Sequence, residues 1–248
     1  MHFKTKGLVL RQTEYKDNDK LLTVLTQDFG RMTMKARGVK SRSSKLKSGC
    51  QLLAYSEFTV FENKGMCTID EANPLELFLP LRDDLEQLCL ASYFAQVTEM
   101  LAQEDSPNPE LLSLTLNCLY ALSRLQKPQL QVKAAFELSA ACIAGYEPAL
   151  DGCAVCQNAE PDRFHVQQGV LLCAGCQGQE AQGLRMPLRP GTLAAMRHIV
   201  YGEKKQLFQF RASEEILQEL SGLTETYLTM QLEQSFYTLD FYKSVLKT

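Results

Sequence analysis

Four cysteines constrain this chain more than any other feature of it. Cys153, Cys156, Cys173 and Cys176 form the pattern C-x2-C-x16-C-x2-C within CAVCQNAEPDRFHVQQGVLLCAGC. Two residues between cysteines let one tight turn aim both sulfurs at a single ion, and a second pair returning from elsewhere completes a tetrahedron. The intervening stretch provides that return, because RFHV and VLLC can pair as a hairpin around Gln167-Gln168-Gly169. Four thiolates fill the coordination shell of Zn2+ and leave no position for an activated water, so one structural zinc per chain is expected. Disulfides and a redox-active pair are the alternatives. A reducing compartment disfavours the first, and neither C-x-x-C opens a helix in a βαβ unit as the second requires. With few large apolar side chains the stretch cannot build a core alone, so the ion supplies folding energy. Asn158 and Gly178 each stand two places after a cysteine pair, where a positive φ eases the chain around a metal. His165, in mid-hairpin, reads as a packed or exposed ring rather than a fifth ligand.

The first 80 residues have a different texture. GLVLRQT (7–13), KLLTVLT (20–26), RMTMKAR (31–37), LLAYSEFTVF (52–61) and MCTIDEA (66–72) alternate as short strands do, and polar turn residues separate them. Five short strands in about 70 residues predict a small barrel of the OB type. After Asn73-Pro74 the pattern becomes helical over 83–102, 110–125 and 130–144, the last ended by Gly145. Beyond the cysteines Thr192 can cap a helix over 193–201. Leu228, Leu232, Ser235, Phe236, Leu239, Tyr242 and Leu246 then recur at helical spacing as one continuous stripe; the aromatic cluster Phe236-Tyr237 and Phe241-Tyr242 could stack bases but is assigned to packing, which helical spacing already explains. The fold class expected is α+β: an N-terminal five-stranded OB barrel (1–80), a helical domain in two parts (81–150 and 181–248), and a four-cysteine zinc finger inserted between them (151–180).

Charge is placed unevenly. Residues 1–80 carry 13 lysines and arginines against nine acids, whereas the remainder has 13 against 20. Seven of the cations, Arg31, Lys35, Arg37, Lys40, Arg42, Lys45 and Lys47, follow one another with no acid among them. In RMTMKAR the period of two sends Met32, Met34 and Ala36 inward and Arg31, Thr33, Lys35 and Arg37 outward. A cationic strand face running into a serine-rich loop fits a polynucleotide backbone, whose binding falls steeply with salt and depends little on base sequence. Arg11, Lys16, Lys4, Lys6 and Lys20 can extend the surface, and Tyr15 offers a stacking ring.

Several classes are disfavoured. No apolar run approaches the length of a membrane span and no signal-peptide core opens the chain, so a cytoplasmic location without membrane contact is expected. Cys50, Cys67, Cys89, Cys118 and Cys142 stand singly among apolar neighbours and read as reduced core residues. Phosphate-loop, serine-hydrolase and zinc-protease motifs are missing, and the three histidines lie far apart. Asp17 and Asp19 sit in a turn and Asp83 and Asp84 at a helix start, where structural roles suffice. No catalysis is expected.

The segments KGLVLRQTEYKDNDKLLTVLTQDFGRMTMKARGVKSRSSK (6–45), QLLAYSEFTVF (51–61) and LASYFAQVTEML (90–101), with the cysteine quartet, closely resemble the RecO family of recombination mediators in the bacterial RecF pathway. The resemblance runs over nearly the whole length. It implies a non-enzymatic protein of DNA repair and recombination that binds single- and double-stranded DNA and anneals complementary strands. It also implies RecR as a partner and help in loading RecA onto DNA covered by single-strand-binding protein, in the cytoplasm and on the nucleoid during repair. The A-R-G-V match places the family's DNA-contacting stretch at Lys35, Arg37 and Lys40, with Arg42, Lys45 and Lys47 beyond. Capture of the acidic, apolar tail of single-strand-binding protein requires a cation beside an apolar groove, for which Arg124 and Lys133 are candidates. The alternative function is an RNA-binding OB and zinc-ribbon protein, and a third is a protein–protein adaptor that binds no nucleic acid.

Overall fold

A computed structural model describes residues 1–176 and 183–246. In chain order the strands are β1 (His2–Tyr15), β2 (Asp19–Thr26), β3 (Gly30–Ala36), β4 (Tyr55–Asn63), β5 (Met66–Glu76), β6 (Ala149–Cys153), β7 (Arg163–His165), β8 (Val170–Leu172) and β9 (Arg185–Pro187). The helices are α1 (Leu85–Leu101), α2 (Pro109–Ser123), α3 (Gln129–Ile143), α4 (Pro190–Tyr201), α5 (Glu214–Leu232) and α6 (Tyr237–Val245). They fall into two compact units, Met1–Leu125 with Phe236–Thr248, and Gln126–Ser235.

In the first unit β1 to β5 close into the expected five-stranded barrel, in the order β1-β2-β3-β5-β4. Antiparallel ladders join all neighbours except β3 and β5, which close the barrel in parallel through Met34↔Cys67 and Lys35↔Thr68. Alternation puts Leu22, Val24, Met34, Phe58, Val60 and Ile69 in one core, as the period of two requires. Asp84 caps α1 by accepting the Gln87 N–H, and Asn108 caps α2 by accepting that of Leu111, with Pro109 preset at the first helical position.

The second unit holds α3, α4 and α5 and a small sheet ordered β6-β8-β7-β9. The hairpin expected from RFHV and VLLC is present as antiparallel β7 and β8, and Gly169 makes its turn at φ 64°. The hairpin shares a core with the helices: Phe164 is fully buried edge-on against Tyr227 of α5, with ring centroids 5.3 Å apart. Arg197 of α4 adds hydrogen bonds to the carbonyls of Leu150, Asp151 and Ala159. The cysteine module is thus seated on helices that themselves fold through apolar burial.

Three expectations need correction. The helix around 193–201 begins earlier, at Pro190. Thr192 does not cap it but lies buried inside, donating its hydroxyl to Glu219 of α5, which also accepts the Arg189 N–H. The C-terminal stripe is not one helix. Glu233 takes φ 50°, its N–H and that of Gln234 satisfy the last carbonyls of α5, and α6 starts only at Tyr237. The aromatic cluster also divides, with Phe236 and Tyr242 buried while Tyr237 and Phe241 are exposed.

Lys133 is the third. It lies in the interior, 2% exposed, 2.8 Å from Glu137 and 2.9 Å from Glu225, with Ser221 Oγ at 3.2 Å. Burial disfavours its ammonium, yet the two carboxylates outweigh burial and raise its proton affinity. It presents no charge to a partner. Replacing Lys133 by Met strands the fully buried Glu137 without its cation. We expect a loss of about 3 to 5 kcal/mol, read from urea unfolding followed by circular dichroism; a loss under about 1 kcal/mol would mean that the interior tolerates the lone carboxylate.

Candidate nucleic-acid interface and metal centre

Between β3 and β4 the chain is a run of turns rather than a free loop. Ser44 N–H donates to the Ser41 carbonyl, Cys50 N–H to that of Leu46, and Leu53 N–H reaches back to Val9 in β1. Apolar pins hold the run to the barrel, since Val39 and Cys50 are buried and Leu46 packs on the core. Gly49 lies so close to β5 that a β-carbon there would come within 2.5 Å of the Ala72 carbonyl oxygen. At the loop's entry Asp19 accepts the Gly38 N–H at 2.8 Å and pairs with Lys35 at 3.1 Å. These contacts, the backbone one first, hold its carboxyl below the usual aspartate range. The result is a fixed scaffold carrying Arg37, Lys40, Arg42, Lys45 and Lys47 on its exposed side.

The seven cations of the run divide by what faces them. Lys35 is largely enclosed, paired with Asp19 and lying 4.9 Å from the centroid of the Tyr15 ring. Lys40 pairs with Glu14, which Lys20 also approaches at 3.6 Å. Arg31 pairs with Glu104 at 3.4 Å, and outside the run Arg11 Nε donates to both carboxylate oxygens of Glu99, at 2.8 and 3.1 Å. Arg37, Arg42, Lys45 and Lys47 are exposed and form no ion pair among the described residues, and Lys16 lies beside the Tyr15 ring and near the Asp19 carboxylate without an ion pair within 4 Å. The cationic face is therefore centred on the tip of the scaffold rather than on β3. Tyr15, the ring offered by the sequence for stacking, is flanked by Lys16 and Lys35.

In the second unit the sulfurs of Cys153, Cys156, Cys173 and Cys176 all lie within 4.8 Å of one another. Cys156 Sγ and Cys173 Sγ are 3.7 Å apart, close to the roughly 3.8 Å edge of a tetrahedron with 2.3 Å metal–sulfur bonds and far beyond the about 2.05 Å of a disulfide. Burial pushes the Cys153 thiol up, but the N–H groups of Cys156, Val155 and Cys173 outweigh it and bring it down to about 6. Cys176 goes the other way, to about 12, through its contact with Cys156 and through burial. Four thiols so close cannot all ionise without a cation between them, and a divalent ion removes that conflict. The residue with positive φ beside the first pair is Gln157, at 59°, one place before the expected Asn158, whose side chain instead donates to Cys173 Sγ at 3.4 Å. Gly178 lies outside the described residues. His165 is buried in the hairpin and its Nδ1 accepts the Gln168 N–H.

With barrel, helices and cysteine cluster in place, two family models match the chain in tandem: "Recombination protein O N terminal" over residues 1–78 and "Recombination protein O C terminal" over 82–240. The chain belongs to the recombination protein O family. It is 31% identical over 246 residues to a DNA repair protein RecO of Acetivibrio thermocellus, covering 98% of this chain and 97% of that one. A relative of the same name from Alkaliphilus metalliredigens is 25% identical over 99% of this chain and its own full length. A third, from Desulfitobacterium hafniense, is 28% identical over 94% of this chain and 86% of the relative.

For this member of the RecO family two further cations join the picture. Arg82 is exposed, donates to the Leu52 carbonyl at 3.0 Å and lines the same cleft as Lys40 and Lys47. It stands 35 residues beyond the basic run, and no local pattern connects it to that run. In the other unit Arg211 lies at the rim of a cleft of about 450 Å³ whose walls include Ala194, Ala195, Phe210 and Ile216. Arg124, named beforehand for such a place, instead pairs with Glu76 at 3.3 Å in the barrel unit. No helix among the described residues is long and apolar enough to cross a membrane.

Proposed function

We propose that this chain is a non-enzymatic mediator of DNA repair and recombination that binds single- and double-stranded DNA and anneals complementary strands. With RecR it helps load RecA onto DNA covered by single-strand-binding protein. The observation that carries the reading is the pinned scaffold at the barrel, with Arg37, Arg42, Lys45 and Lys47 exposed and without acidic partners. A fixed array of such cations neutralises successive phosphates without first paying to order a loop, and its binding is tolerant of sequence. The names of the relatives support the same assignment.

In this reading the cysteine quartet holds one structural Zn2+, which keeps β6 and the β7–β8 hairpin folded and takes no part in chemistry. The acidic, apolar tail of single-strand-binding protein is assigned to the Arg211 cleft, which combines apolar walls with an exposed guanidinium. The test is fluorescence-monitored annealing of complementary strands coated with single-strand-binding protein, in a salt series. Acceleration that fades as salt rises supports the proposal. No acceleration at any salt, or equal binding to RNA in competition, would displace it in favour of an RNA-binding role or a protein adaptor.

A further inference from the structure

The exposed Tyr237 lines a cleft that neighbours the one among the cations of the scaffold. One cleft is lined by Lys40, Lys47 and Arg82, and it shares Gln12 and Leu52 with a second, of about 270 Å³, that Tyr237 lines. In the first the charge is positive, from Lys47 and Arg82, neither of which is paired with an acid among the described residues. In the second charge is balanced, because Arg11 and Glu99 hold each other. Leu10 and Leu52 give its lining an apolar part, beside the polar side chains of Gln12 and Gln96.

Tyr237 is 70% exposed, yet its backbone is fixed on both sides. Phe236 before it is buried edge-on against Tyr93 at 5.6 Å, and Thr238 after it donates through both backbone and hydroxyl to Gln96. A large aromatic face is thus held in water on a rigid mount, and Phe241, 57% exposed, follows one helical turn later. Cations in one cleft and an exposed aromatic beside apolar side chains in its neighbour match the two parts of a strand, a charged backbone and a flat base. A cleft of this volume lies below the range of sites for drug-sized ligands, which suits one unstacked base.

We propose that Tyr237 stacks an unpaired base of single-stranded DNA whose backbone is held by Lys47 and Arg82. The assignment rests on the proposed DNA-binding function and adds to it a preference for unpaired strands, because bases inside a duplex are already stacked and cannot reach the ring.

The chain contains no tryptophan, so Tyr237→Trp introduces a single reporter at the site. Its emission is expected to be quenched by a single-stranded oligonucleotide and left unchanged by a blunt duplex. Tyr237→Ala should weaken single-strand binding about tenfold with duplex binding unaltered, while Tyr237→Phe should bind as the wild type does. An unquenched tryptophan in a protein that fluorescence anisotropy shows to be strand-bound, or wild-type affinity in Tyr237→Ala, would overturn the stacking assignment and leave the DNA-binding function standing. Absence of any strand binding by the wild-type chain would remove both.

Discussion

Changing Arg37, Arg42, Lys45 and Lys47 together to glutamate is expected to weaken single-stranded DNA binding on the order of a hundredfold at about 0.15 M salt, for every sequence alike. Each lost phosphate contact lowers the steepness of log K against log salt by about 0.7 for a single strand, so four contacts flatten the slope by about 3. The fold should survive, because the four side chains are exposed and the scaffold is pinned instead by Val39, Leu46, Cys50 and the Asp19–Gly38 hydrogen bond. An unchanged thermal melt with a flattened salt slope is the outcome that assigns the surface. A control replaces Lys35 and Lys40, which already face Asp19 and Glu14. Their reversal should act less through lost phosphate contacts than through repulsion of their present carboxylate partners, and so should lower the melting temperature. If the Lys35 and Lys40 variant loses the salt slope and the four-residue variant keeps it, the interface lies around Lys35 and Lys40 and the four exposed cations are the wrong ones.

How far the letters reach can be read from these same residues. The barrel was legible because strand alternation is local: Met34 and Ala36 turn inward and Thr33 and Arg37 outward by a period that any seven residues display. The quartet was legible because metal geometry fixes its spacing. Charge pairing was not. Asp19 meets Lys35 and Glu14 meets Lys40 only because β1, β2 and β3 are neighbours in the closed barrel, so an acid-free run in sequence is not an acid-free surface. The break at Glu233 escaped for a related reason. Apolar residues keep helical spacing from Leu228 to Leu246, and no Gly or Pro marks the single left-handed residue that divides them. Arg82 was missed because it joins the cleft of Lys40 and Lys47 only through tertiary folding, and Tyr237 was placed in the packed stripe because helical spacing does not show which of its aromatic residues the fold leaves exposed. Lys133 shows the converse. Its glutamates stand four residues along α3 and on α5, and only the packing of those helices turns a plausible surface cation into an interior one.

Replacing Cys153 by Ser is expected to abolish stoichiometric metal and to melt β6 and the β7–β8 hairpin while the barrel unit stays folded. The expectation follows from where the folding energy of this module resides. Leu150, Phe164, Val166, Leu171 and Leu172 are its buried aliphatic and aromatic side chains, few for a core of its own, and β7 and β8 are three residues each, too short to hold a hairpin alone. Cys153 is the buried member of the quartet and ends β6, and its sulfur accepts the Cys173 N–H at 3.3 Å, so it joins the two cysteine pairs even before an ion is counted. Elemental analysis should find about one zinc per chain in the wild type and a small fraction of that in the variant, and a chelator should reproduce the variant's behaviour in the wild type. Acid should do the same, since bound thiolates release the ion as they take up protons. Hydrogen exchange separates a local from a global effect: amides of 150–172 should lose protection while those of β1 to β5 keep it. Retention of a full equivalent of zinc by Cys153→Ser would show that the remaining three sulfurs suffice. Loss of zinc with exchange unchanged would show that Phe164 against Tyr227, and not the ion, holds the hairpin in place.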